Sequence, residues 1–339
     1  MKVLYIDYMS PLGHEVFNCI QLDSLLAVGS DIHVVIYGNY LSKYKNIEKI
    51  KITRIPAKYN KSNKSPLKER IIDIKRLMWI KRNIAINQYD YIVFSSYDIL
   101  SLFVFRLKQK VFIINHNNVD QFNSKIKLYF TKLLPSNYEH IALNVYMERK
   151  LNEYLPDKKV RYIPHGYWEA SSKMRKPEML KEGERFIFCP VNRNHDVMLM
   201  NNIIHSSLFN SSLEQKNINL YVKSQLLNVS KGNIKTIGML DDDEYNYMLT
   251  KAVAVLLPYG EEFKYRCSGI LFESVARNTP IIATPREALK IFENIININF
   301  FNNDESLIIT LENLQKQISI DYNKEIFHPM KYWKTLLNE

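Results

Sequence analysis

Residues 252–285, AVAVLLPYGEEFKYRCSGILFESVARNTPIIATP, leave little choice of local fold. Ala252 to Leu257 is a short apolar run stopped by Pro258, the pattern of a strand buried on both faces. A polar loop runs from Tyr259 to Cys267. Ser268 is a good helix N-cap, and Ile270, Leu271, Ser274 and Val275 fall at helical spacing behind it. Asn278, Thr279 and Pro280 end the helix, and Ile281 to Ala283 starts the next strand. Strand, helix and strand in this order predict a βαβ unit of an open parallel sheet. In such sheets ligands bind beyond the carboxyl ends of the strands, which is where the loop before Ser268 falls.

The side chains at that loop suit an anion. Ser268 and Gly269 would leave backbone N–H groups free at a positively polarised helix end, and Arg266 offers a planar fork for phosphate. Glu273, about a turn and a half into the helix, could accept from ribose hydroxyls. An ordinary cap, a solvated arginine and a surface glutamate account for the same residues.

SGILFESVARNTPIIAT resembles the nucleotide-sugar signature of GT-B glycosyltransferases, in particular the large group 1 family. Glu273 falls at the family's ribose-binding Glu, and Asn278 to Ala283 follows its Gly-x-Pro-Val-Ile-Ala ending, with Asn278 where Gly is usual. The family commonly has a second Glu eight residues before the first. Tyr265 stands there, with Glu261 and Glu262 nearby but out of register. The resemblance implies an α/β protein of GT-B fold, two Rossmann-like doubly wound parallel-sheet domains facing a cleft.

It also implies a division of the chain. Residues 1–168 would form an N-terminal acceptor domain, 169–184 a linker, 185–318 a nucleotide-sugar domain, and 319–339 a helix returning to the first domain. Lys2 to Met9 reads as a first strand, and Gly13 alone remains of the glycine-rich acceptor-side loop of many relatives. No G-x-G-x-x-G dinucleotide site is present. Val111 to Ile114 is a strand ending at His116, and relatives often carry a strand-end His close to the reacting sugar. His116 and His14 are thus candidate bases, with loop histidines bonded to backbone as the plainer reading. Pro164-His165-Gly166 resembles the family's structural turn into the linker. Relatives hold the donor diphosphate with an Arg and then a Lys. Arg193 falls at the first; for the second no clear match exists, and Arg266, with Lys223 at the end of a predicted strand, supplies charge on the donor side.

Composition is globular, 46% hydrophobic and 24% charged, and the formal net charge is +11. Residues 43–82 hold 14 Lys or Arg against Glu48, Glu69 and Asp73, so this one segment carries the whole excess. Within it Pro66 opens a helix whose apolar positions Leu67, Ile71, Ile74 and Met78 predict a broad core face. Lys68, Arg70, Lys75, Arg76, Lys81 and Arg82 decorate the rest, as on an anionic membrane surface or on a solvated face. Cys19, Cys189 and Cys267 lack metal spacing, and three scattered thiols suit a reducing compartment. No signal peptide is visible and no apolar run reaches the length of a membrane span. The acids of 241–244 read as a helix cap rather than a metal site.

The expectation is a cytoplasmic glycosyltransferase, peripheral on the inner face of the membrane. It would move sugar from a nucleotide diphosphate to a glycan or lipid-linked acceptor without a metal or other cofactor. Alternatives are a nucleotide-sugar epimerase of the same fold, or a non-enzymatic binder of anionic surfaces or nucleic acid through residues 43–82. No nucleic-acid module appears, so none is expected as a partner.

Overall fold

The computed structural model describes residues 1–11, 14–42, 44–59, 65–168, 173–190, 194–314 and 324–339. Gly13 and Arg193 therefore lie outside the described residues. Contacts divide the chain into two units, Met1–Gly166 with Ile326–Glu339, and Tyr167–Glu325.

The first unit is built on a parallel sheet of β1 (Lys2–Asp7), β2 (Asp31–Tyr37), β3 (Lys51–Ile55), β4 (Tyr91–Phe94), β5 (Lys110–Asn115), β6 (Tyr138–Ala142) and β7 (Val160–Tyr162). Their order is β3-β2-β1-β4-β5-β6-β7. Connecting helices are α1 (Glu15–Ala27), α2 (Pro66–Asn83), α3 (Ile99–Phe103), α4 (Lys125–Lys132) and α5 (Val145–Tyr154). The order reverses between β1 and β4, so a crevice opens at their carboxyl ends. The strands are apolar on both faces because helices cover both; Val3 to Ile6 and Val111 to Ile114 have no exposed surface.

The second unit holds β8 (Phe186–Pro190), α6 (Asn194–His205), α7 (Ser207–Gln215), β9 (Asn219–Lys223), β10 (Ser230–Lys231), β11 (Ile234–Ile237) and α8 (Asp242–Lys251). Then follow β12 (Ala254–Leu257), α9 (Gly269–Ala276), β13 (Ile281–Ala283), α10 (Glu287–Lys290), β14 (Ile298–Phe300) and α11 (Asp304–Leu314). Strand order is β10-β11-β9-β8-β12-β13-β14, parallel except for the β10–β11 pair. This sheet reverses between β8 and β12, which places the loop before α9 at its crevice. The helices α6 and α7, each with apolar positions in the core around Met200, Ile204, Phe209 and Leu213, had no clear sequence signal.

Helix α12 (Pro329–Asn338) belongs to the first unit. Trp333 is fully buried beside Phe112, and its indole N–H donates to Gln21 at 2.8 Å. Gly166 sits where the chain leaves that unit, at φ +83°. A Cβ there would lie 2.5 Å from Ile20 and 2.8 Å from Pro329, so only glycine lets the segment press onto α1 and α12.

Three expectations need correction. The described part of the expected linker, 173–184, is built into the second unit. Arg175 pairs with Asp241 and Glu244, and Glu184 accepts from Tyr221 Oη at 2.6 Å. Lys324 and Glu325, beyond the expected end at 318, also fall in that unit. On α2 the expected faces are reversed: Leu67, Ile71 and Met78 are exposed, while Asp73, Arg76, Leu77 and Ile80 turn inward. Arg76 is 1% exposed and donates to Tyr8 O at 2.9 Å and to Tyr59 O at 2.8 Å, with its guanidinium 4.0 Å from the Tyr37 ring. These carbonyls at the sheet end select the buried side of the helix.

Candidate functional site

In the second unit, α9 begins as its residues require. The Ser268 hydroxyl accepts from Leu271 N at 3.1 Å and lies 2.6 Å from Tyr259 Oη, which ties the cap to the loop. Tyr259 stacks on Phe263 with ring centroids 3.8 Å apart. Ser268 is buried and Gly269 exposed, so the hydroxyl serves the backbone and the glycine faces out. Arg266 is partly exposed in this loop. Arg286 donates to Tyr259 O at 2.7 Å and pairs with Glu261, which occupies that out-of-register acid. Tyr265, at the position of the family's second Glu, is buried with the Lys264 ammonium 5.6 Å from its ring. At the far end of α9, Asn278 adopts φ +56°. Asn tolerates this left-handed conformation better than most side chains, which explains how it stands in for Gly.

Around Glu273 three elements converge. Its Oε2 accepts from Tyr245 Oη at 3.2 Å, on the first turns of α8. Lys223, the last residue of β9, sets its ammonium 4.7 Å from the Tyr245 ring. Arg277, one turn along α9, donates to the Glu273 carbonyl at 2.7 Å and to Asn246. Burial pushes the Glu273 carboxyl above its ordinary range, against the opposing pull of Arg277, the Tyr245 hydrogen bond and Lys223. Burial lowers Lys223, and the neighbouring Glu273 carboxylate works against that. The result is a partly exposed acid on α9 and a partly exposed base at the end of β9, each held by neighbours. Tyr245 and Arg277 were not foreseen. Arg277 could have been found from its i,i+4 spacing to Glu273, whereas nothing local marks Tyr245.

The acids at 241–244 form a capping box. Asp241 accepts from Glu244 N at 2.9 Å while the Glu244 side chain accepts from Asp241 N at 3.2 Å. Among the described residues no group of three His, Cys, Asp or Glu is arranged to hold a metal ion.

In the first unit His14, His116 and His165 gather at the strand carboxyl ends. His14 and His116 have ring centroids 4.2 Å apart, and Phe17 lies 4.5 Å from His116 and 4.9 Å from His165. His116 Nε2 donates to Ser95 O at 3.0 Å, which leaves Nδ1 as its basic atom. Burial, then His14 and His165, hold its pKa well below the ordinary value, so the ring is neutral and a weak base. Below them Asp7 is fully buried at the end of β1. It accepts from Asn18 Nδ2 at 2.7 Å, Ser10 N at 2.9 Å and Ser96 Oγ, and burial raises its pKa despite those bonds.

Both units thus carry a parallel sheet with polar groups at its switch point, and solved structures share this layout. Sucrose-phosphate synthase from Thermosynechococcus elongatus matches with TM-score 0.66 at 12% identity, covering 100% of this chain and 94% of that one. The fold is GT-B. A UDP-GlcNAc 2-epimerase from Methanocaldococcus jannaschii matches with TM-score 0.64 at 13% identity, over 100% and 99% of the two chains. Anabaena HepE, solved in complex with UDP-glucose, matches with TM-score 0.64 at 13% identity, over 100% and 97%. No protein-family model and no curated protein sequence matches the chain. Among the described residues no helix is long and apolar enough to cross a membrane.

Proposed function

We infer that the protein is a cytoplasmic glycosyltransferase of polysaccharide or glycolipid synthesis that takes its sugar from a nucleotide diphosphate. The observation that carries this reading is the cluster of Glu273 on α9 with Tyr245 and Lys223. A carboxylate held by a phenol can accept from two ribose hydroxyls. Lys223 and the helix end offer positive charge to the diphosphate leaving group, where charge develops during transfer. Arg266 and Arg193 are assigned to the same diphosphate. These cations meet that charge without a metal ion in the reading proposed. Neutral Nδ1 of His116, with His14 beside it, is assigned to the acceptor hydroxyl.

Support comes also from neighbours of the same fold: HepE was solved with UDP-glucose, and a Neisseria meningitidis 2-epimerase with UDP-GlcNAc. The 2-epimerases favour a second reading, in which the same cluster holds a nucleotide sugar that is epimerised. Two measurements separate the outcomes. A thermal-shift panel of nucleoside diphosphates and nucleotide sugars should raise the melting temperature, since a ligand bound only by the folded state stabilises it; no shift with any of them sinks both readings. Turnover of the binding sugar nucleotide with no acceptor present would select the epimerase.

A further inference from the structure

Three helices on one face of the first sheet turn an apolar and basic surface outward. The core over that face takes in Leu77 and Ile80 of α2 and Ile99 and Leu102 of α3, with Phe130 of α4 packed against it. The opposite sides of these helices therefore point away from the sheet. There Leu67 is 66% exposed, Ile71 45%, Ile126 64% and Tyr129 60%. Exposed lysines lie between them: Lys68 and Lys75 on α2, Lys125 and Lys132 on α4. Helix α4, KIKLYFTK, has no acid; on α2 Asp73 is buried against Arg76, and Glu69 is half-exposed among Lys68, Arg70 and Lys75. The helices form one surface. Arg70 pairs with Asp98 of the α3 cap at 3.7 Å, and Phe103 meets Phe130 at 4.9 Å between α3 and α4.

A merely solvated face would show the lysines without the large apolar side chains. A core face would bury those side chains. Apolar groups set among lysines instead suit the bilayer interface, where the former enter the acyl boundary and the latter reach up to phosphate. We propose that this face of α2, α3 and α4 docks reversibly on an anionic lipid bilayer. The inference does not depend on the glycosyltransferase reading. Both α2 and α4 begin at the carboxyl end of the sheet, since each runs back to the start of the strand after it. The first turns, with Leu67, Lys68, Lys125 and Ile126, then bring lipid beside the end that carries His116.

The test is co-sedimentation of the full chain with vesicles of phosphatidylcholine alone, or mixed equally with phosphatidylglycerol, at low and high salt. The protein should pellet only with the mixed vesicles, and less at high salt. Changing Lys68, Lys75, Lys125 and Lys132 to Gln should weaken binding more than a hundredfold, at about fivefold per basic residue. Ile126→Ser with Tyr129→Ser should weaken it by about tenfold, from lost apolar burial. All six positions are exposed, so melting temperatures should hold. Wild-type protein remaining in the supernatant at low salt overturns the proposal. So does pelleting with phosphatidylcholine alone to the same extent, or undiminished binding by the serine variant, as a site for nucleic acid or another polyanion would give.

Discussion

The carboxyl ends of the two sheets use charge in opposite ways. In the first unit the charged groups are consumed by the fold. Arg76 is spent on the carbonyls of Tyr8 and Tyr59, Asp7 on Asn18, Ser10 and Ser96, and His116 and His165 are held neutral. In the second unit Lys223 and Glu273 remain partly exposed, steadied by Tyr245 and Arg277. One end has invested its ions in stability, and the other leaves them partly open to solvent. A buried polar group without its partner costs more than its bond contributes, so the first kind of site is rigid and intolerant.

The largest effect should come from Arg76→Ala. It removes the buried ion pair with Asp73 at 3.6 Å and strips hydrogen bonds from two carbonyls. Denaturant unfolding should show a loss of about 4 kcal/mol, while nucleotide affinity of the folded fraction stays as in wild type. Glu273→Ala should do the reverse: a tenfold to hundredfold loss in kcat/KM for the sugar nucleotide, about 1.5–3 kcal/mol, with little change in melting temperature. If the two variants behave alike, the contrast between the sheet ends collapses.

A third effect concerns protons. His140 in β6 is fully buried with neither ring nitrogen hydrogen-bonded, and burial, then Lys158, hold it down to about 3 from an ordinary 6.5. The unfolded chain takes up this proton below about pH 6.5 and the folded chain does not. Its contribution is therefore full above that pH and drains away as pH falls towards 3. At pH 5 the loss is about 2 kcal/mol. His140→Leu should flatten the stability profile between pH 7 and pH 5 by that amount; an unchanged slope would show that other groups dominate. The smallest effect should be Lys75→Ala, within about 0.5 kcal/mol in the same unfolding experiment, although it neighbours Arg76 in sequence.

That last pair shows where reading the chain stops. The unit at 252–285 is legible because its signals are local. Pro258 stops the strand, Ser268 caps the helix, and Asn278 takes the left-handed turn that Pro280 follows. The resemblance around Glu273 adds the GT-B layout, and the fold agrees. Helix α2 is legible as a helix but not in its orientation. Its isoleucines and leucines lie on more than one side, so periodicity permits either side to be buried. The choice fell to the side where Arg76 reaches Tyr8 and Tyr59, residues distant in sequence. Tyr245 and Lys223 were brought to Glu273 the same way, from separate βα connections. Local sequence sets backbone conformation through caps, breakers and apolar spacing. Which side chains meet depends on strand order and crossover, and those are settled when whole elements pack.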